Sequence, residues 1–326
     1  MTRPLLMISV ALASYAVISS LASLIAVLAW QTGWSNRDRS SAAVRARRLV
    51  MLRAFPAVTG VLLAGGLIMP AFVWFEPVRA FEAVGPALIA LAAIGLGLLA
   101  TGIGNAVMSA VATWRIERRW LRSARQLDFN PPVGVPAYAV DSFAPVIALV
   151  GVFAPKLIAA RTVIEACNHD ELANIVAHER GHLTARDNLK RWLMTCAPDL
   201  LRWTPVHSAI TQAWDDAAED AADDAATAGR EVARVDLAAL LVKVARLSAG
   251  PGLTGATVSP FIERDRLDRR VRRLLVTSAP GTDSSRSVLQ PLVGTGVAAT
   301  MLSILSSPEA LQSVHEAVEL VVAFGR

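Results

Sequence analysis

Long uncharged runs set the plan of this chain. Leu5–Trp30, Ala54–Phe75 and Ala83–Trp114 each contain no charged residue. Each is long enough for a spanning helix, which needs roughly 20 apolar residues. Val288–Ser307 is a fourth uncharged run, diluted by Gln290 and several serines. A cleaved leader is a poor account of the first run. Its core is too long, and its basic start is the single Arg3. Between the third and fourth runs the pattern changes to short apolar stretches and amphipathic segments. The pattern predicts a mainly α membrane protein with four transmembrane helices and an α+β domain inserted between the third and fourth. The expected boundaries are 1–125 for the three-helix membrane region, 126–286 for the inserted domain, and 287–326 for the last span and a short tail.

Within the insert, Asn130 to Pro136 is a Pro-rich linker. Tyr138 to Ile164 reads as short strands, with turns at Asp141-Ser142 and Ala154-Pro155. The apolar run Val146–Phe153 is too short to cross a bilayer. It suits a buried core strand or an edge strand that holds an extended peptide, and the two roles are compatible. Asn168 with Glu171 three residues on is a helix cap, and Ile175–Leu189 continues as helix. Residues 189–214 are apolar and rich in tryptophan, interrupted by Pro198 and Pro205. They pack either on the bilayer face, where tryptophan is favoured, or as an ordinary pair of core helices. Helices are also expected around Glu219 and over Glu231–Leu247, with a loop at Ala249–Pro260. Ile262–Val276 is an amphipathic helix with one apolar stripe and arginines elsewhere, suited to an anionic leaflet.

Composition agrees with the membrane reading. The chain is 54% hydrophobic, with a mean hydropathy of +0.45. Its net charge is +5, almost all from arginine, since Lys156, Lys190 and Lys243 are the only lysines. The arginines cluster beside the apolar runs: Arg37 to Arg53 after the first, and Arg115 to Arg125 after the third. The positive-inside bias then places both clusters in the cytoplasm. The near-neutral 76–82 loop and the N-terminus fall outside, and the inserted domain faces the cytoplasm. The location expected is a multi-pass protein of the cytoplasmic membrane. Few aromatics accompany the basic helix, so direct nucleic-acid binding is not expected. Cys167 and Cys196 form no C-x-x-C pair and are read as buried thiols.

The candidate chemistry lies in His178-Glu179-Arg180-Gly181-His182, an H-E-x-x-H sequence in a helical stretch. Residues four apart share a helix face, so His178 and His182 can ligate one divalent ion. Glu179 is then placed to act as base on an attacking water, the pattern of a zinc hydrolase. Downstream, Glu219-Asp220-Ala221-Ala222-Asp223 supplies Glu219 as a third ligand. Asp223, one turn on, can orient a ligand histidine through its second nitrogen. The alternative for this segment is a solvated acidic helix. Asp187 either supports the site from behind a ligand or caps the motif helix. Arg180 points away from the metal face. For the oxyanion, His207, Tyr138 and nearby arginines are the candidate partners.

These residues give the chain a family likeness. It resembles the BlaR/MecR-type antirepressor membrane metallopeptidases (peptidase family M-fifty-six). The resemblance is carried by Val176 to Leu189, with its Asp187-Asn188 extension, by Gly151 to Ile158, by Glu219 to Asp224 and by Leu267 to Leu275. It implies a gluzincin-like domain with Zn2+ on His178, His182 and Glu219 and with Glu179 as general base. It further implies cleavage of a cytoplasmic repressor, or of the chain itself, in transcriptional derepression, with a possible separate sensor as partner. No S-x-x-K follows the last run, so β-lactam sensing through a C-terminal penicillin-binding domain is not expected. Two other functions share the motifs. One is an HtpX-type or CAAX-protease-like quality-control peptidase, with two spans before the motif and two after. The other is a zinc-binding signalling scaffold, which would not need Glu179.

Overall fold

The computed structural model describes residues 3–33, 40–75, 85–129, 132–141, 147–248 and 264–276, with scattered positions in 307–316. The first three apolar runs are helices. Helix α1 is Arg3–Gln31. The second span comprises α2 (Ala42–Leu63), a π-helical turn (Ala64–Ile68) and α3 (Met69–Phe75), and the third is α4 (Pro86–Leu121). All three spans are long and apolar enough to cross a membrane. The π turn falls on Gly65-Gly66, where backbone freedom tolerates a break in the hydrogen-bond ladder. Val288–Ser307, expected as a fourth span, lies outside the described residues, as do the 76–82 and 249–260 loops and most of the tail. Leu6, Phe72 and Leu88 close one end of the three-span bundle.

The sheet has four strands, β1 (Arg125–Leu127), β2 (Ala137–Val140), β3 (Ile147–Val150) and β4 (Lys156–Ala160), in the order β1-β2-β4-β3. β2 and β4 are parallel, with Tyr138 opposite Ile158; the other pairs are antiparallel. β3 is therefore an edge strand. Two details differ from expectation. Arg161–Ala166 forms helix α5 rather than more strand, although Thr162, Val163 and Ile164 favour strands. Val163 is buried in the core shared with the later helices, and packing overrides propensity there. β1 also precedes the Pro-rich linker instead of following it.

Helix α6 (His169–Ala185) starts at a reciprocal cap. Glu171 N–H donates to Asn168 Oδ1 at 2.9 Å, and Asn168 N–H donates to Glu171 Oε2 at 2.8 Å. The helix does not run on to Leu189. Arg186 adopts the left-handed conformation (φ 55°, ψ 44°), and α7 (Asp187–Cys196) begins anew. A 3-10 turn (Leu200–Trp203), α8 (Pro205–Thr227), α9 (Glu231–Ser248) and α10 (Arg264–Val276) follow. One core joins Leu157, Ala159 and Val176 to Leu237, Leu241 and Leu274. A second joins α2 to α8, through Ala46, Leu49 and Leu52 against Ile210, Trp214, Ala217 and Ala218. The helix that carries Glu219 thus stands directly on the second long apolar helix.

α10 is where the arginine-rich stripe departs most from expectation. Arg266, Arg269, Arg270 and Arg273 face α8 rather than a leaflet, while Arg272 is exposed and pairs with Asp268 of its own helix. Arg269 meets Asp220 at 2.7 Å, Arg270 meets Asp223 at 2.7 Å and Arg273 meets Asp224 at 2.6 Å. Asp220 also takes Arg45 of α2 at 2.6 Å. The acidic helix is therefore not a solvated face: Asp220 and Asp223 are buried. Cys167 and Cys196 are free and only half-buried.

Candidate metal centre

The break at Arg186 and the close packing of α6 on α8 bring three donors together. His178 Nε2 lies 3.2 Å from His182 Nε2. Glu219 Oε2 is 3.5 Å from His178 Nε2, and Glu219 Oε1 is 3.7 Å from His182 Nε2. Zinc bound tetrahedrally at about 2.0–2.1 Å sets its donors about 3.3–3.4 Å apart, which the three distances bracket. A nitrogen–nitrogen–oxygen set with a fourth position left over is also the donor chemistry of an open zinc site. These residues are the one group of three or more potential ligands found among the described residues.

Each ring is oriented from behind. His178 Nδ1 lies 3.0 Å from Asp223 Oδ1, and His182 Nδ1 lies 2.8 Å from Asp187 Oδ2. A carboxylate at Nδ1 holds the proton there and turns the Nε2 lone pair toward the cluster. Asp187 can reach back to His182 because the chain reverses at Arg186. It is also the first residue of α7, and Lys190 holds its other oxygen at 3.1 Å. Arg180 is exposed and takes no part.

Glu179 is buried beside the apolar side chains Ile147, Ile175, Leu237, Leu240 and Leu241. Burial pushes its carboxyl above the usual range, and the two imidazoles pull the other way. A carboxylate raised toward neutral pH is better matched to general-base work. Against the cost of burial, Arg270 and the two histidines hold Glu219 well below the ordinary carboxylate range. The cluster opens on one side only. The His178 side chain is 4% exposed, whereas His182 is 15% and Glu219 22% exposed.

Arg270 was not anticipated as a site residue. It is 3% exposed, sits 2.9 Å from Glu219 Oε2 and donates twice to Asp223, at 2.7 and 3.0 Å. A signal for it does exist in the sequence. Arg266, Arg270 and Arg273 recur with the same spacing as Asp216, Asp220 and Asp223. Two helices with complementary charge of one period can pair along their length. The suggested oxyanion partner His207 instead bonds Arg53 at the membrane bundle, about 18 Å of helix away from Glu219.

Gly181 sets the α6–α8 spacing. A Cβ there would lie 3.0 Å from Ala222 Cα and 3.3 Å from Ala222 Cβ. Gly181→Val should push the helices apart, carry Glu219 off the histidines and weaken zinc binding by about 10–100-fold. A competition titration against a zinc chelator measures it; unchanged affinity would mean that this contact does not set the ligand geometry.

Residues 112–248 match the model of peptidase family M48. The stretch runs from the last turns of α4 through α9 and contains all three donors and Glu179; α10 and Arg270 lie beyond it. The match supports a membrane-type metallopeptidase, a hydrolase, and M48 peptidases are zinc metalloproteases. The three long apolar helices suggest a membrane protein. No curated protein and no solved structure matches the chain.

Proposed function

We propose that the protein is an integral-membrane zinc endopeptidase that hydrolyses peptide bonds in a cytoplasmic or membrane protein. The observation that carries this reading is the convergence of His178, His182 and Glu219 next to a buried Glu179. A scaffold would need the donors but not the glutamate. Zinc held by the three donors would polarise the scissile carbonyl and acidify an attacking water to a pKa near about 7. Glu179 takes the water's proton and returns it to the leaving amine. Asp223 and Asp187 keep the rings in one tautomer throughout. β3 is an edge strand that offers backbone partners for an extended substrate, and its Leu149 carbonyl already accepts from Asn188 Nδ2 at 2.9 Å.

For the biological role, three spans ahead of the motif fit the order of an antirepressor peptidase, whose substrate is a cytoplasmic repressor or the chain itself. The alternative is membrane quality control. Both rest on the same chemistry. Glu179→Gln should keep stoichiometric zinc and lose at least about a hundredfold in cleavage rate. Zinc analysis and casein or self-cleavage assays on the detergent-solubilised protein test this. Undiminished cleavage by the variant would exclude Glu179 as base. Proteins that accumulate in cells carrying Glu179→Gln then separate the roles: a DNA-binding repressor for the first, unassembled membrane proteins for the second.

A further inference from the structure

The segment between the two halves of the metal centre lies unexpectedly deep. α7 descends from Asp187, the chain turns at Ala197–Thr204, and α8 climbs back to Glu219. The turn is lodged among all three spans. Pro198 and the Cys196 carbonyl lie so close to Gly102 of α4 that a Cβ there would come within 2.7 Å of Pro198 Cβ and 2.8 Å of the carbonyl oxygen. Tyr15 of α1 donates its hydroxyl to the Pro198 carbonyl. Arg53 of α2 bonds Asp199 at 2.7 Å and His207 at 2.9 Å.

Depth follows from helix geometry. The bundle's far end is the Leu6–Phe72–Leu88 cluster. From Leu88 to Gly102 the rise along α4 is about 21 Å, less than the roughly 30 Å of bilayer hydrocarbon. A further rise of about 20 Å separates Gly102 from Arg115 and the basic cluster that marks the membrane surface.

The side chains agree. Between Trp192 and Ile210 the exposed residues are Leu193, Leu200, Trp203, Pro205 and Ser208. The segment's hydroxyls bond internally, as hydrocarbon favours, while Asp199 Oδ1 and Trp214 Nε1 are buried without a partner. Thr195, Arg202, Thr204, Ser208 and Thr211 each donate to a backbone oxygen within the same segment. Trp203 is 59% and Leu193 49% exposed, which in water would be an unfavourable surface.

We infer that residues 187–214 form a re-entrant helical hairpin whose turn is seated in the bilayer hydrocarbon, touching lipid acyl chains through Leu193, Leu200 and Trp203. The inference rests on the membrane reading of α1, α2 and α4, and not on zinc or catalysis. It has a consequence for the site. Asp187 heads one stem and Glu219 stands on the other, so the metal centre is held at the membrane surface by the same element.

The test uses the full-length chain with Cys167→Ser and Cys196→Ala, labelled at single cysteines with an environment-sensitive nitrobenzoxadiazole dye. The vesicles contain phosphatidylcholine and phosphatidylglycerol, with or without nitroxide placed midway along the acyl chain. Leu200→Cys and Trp203→Cys report on the turn, and Leu193→Cys gives an independent position on the descending stem should a turn variant fail to fold. Ile94→Cys, on the exposed face of α4, is the membrane control, and Thr184→Cys, exposed on the motif helix, is the aqueous one. The expected result is loss of most fluorescence to the acyl nitroxide at 193, 200, 203 and 94, with position 184 quenched only by aqueous iodide. If 193, 200 and 203 behave like 184 while 94 is quenched, the hairpin lies outside the bilayer and the inference fails alone. If 94 is also accessible to iodide, the membrane reading fails with it.

Discussion

Arg270→Met should leave a protein that is stable only while its metal is loaded. In the native structure one buried guanidinium serves two carboxylates, the partly buried Glu219 at 2.9 Å and the fully buried Asp223 at 2.7 Å. Asp223 also faces His178, and Glu219 faces both rings. Removing the arginine leaves two negative charges in the protein interior without their main counter-charge. Breaking a buried pair from one side costs about 3–5 kcal/mol. Methionine restores volume but no charge, so the cost is electrostatic rather than a cavity effect. A dication on Glu219 and the histidines would replace much of the lost positive charge. The variant should therefore unfold close to the parent when zinc is in excess and far below it after chelation, whereas the parent tolerates chelation better. Thermal unfolding of the full-length protein in detergent, with zinc and with chelator, makes the comparison. An equal drop in both conditions would mean that Arg270 acts through packing alone.

Arg53→Met should have an effect of similar size at the other end of α8. Arg53 and Asp199 are both fully buried, and Arg53 also donates to His207 Nδ1. With the arginine gone, Asp199 has no cationic partner in a place where water is scarce. The expected loss is again about 3–5 kcal/mol. The double variant Arg53→Met/Asp199→Leu should recover most of it, because replacing a whole buried pair by apolar groups is close to neutral. Denaturation by increasing sodium dodecyl sulfate, followed by tryptophan fluorescence, measures the three proteins side by side. If the double variant is no better than the single, Asp199 has a role beyond answering Arg53.

Much of this architecture is legible from the sequence because it is local. Uncharged runs of sufficient length favour helix wherever a bilayer is the solvent, and the three that fall within the described residues are helices long and apolar enough to cross one. The capping box at Asn168 and Glu171 involves residues three apart, and it forms as its pattern implies. The facing of His178 and His182 needs only the pitch of one helix. The placement of Asp187 was left open, because it depends on a chain reversal at Arg186. No glycine or proline announces that reversal. α5 departs from its strand-like pattern for a related reason: its β-branched residues satisfy a strand pattern, and only the core around Val163 selects helix.

Local periodicities are carried by the residues alone: the apolar runs, the motif helix with its two imidazoles, and the acidic and basic stripes of α8 and α10. Which stripes meet depends on how the helices dock. Arg270 reaches Glu219 and Asp223 because α10 docks along α8. Arg45 and Arg53, which read as topology-setting charges, are ion-paired to Asp220 and Asp199. The apolar stretch around Pro198 reads equally as core or bilayer surface until α1, α2 and α4 are seen to close around it. The physical reason is the same in each case. A helix presents its partners every turn without regard to what lies opposite, so its own sequence records the spacing of the charges but not the identity of the helix that answers them.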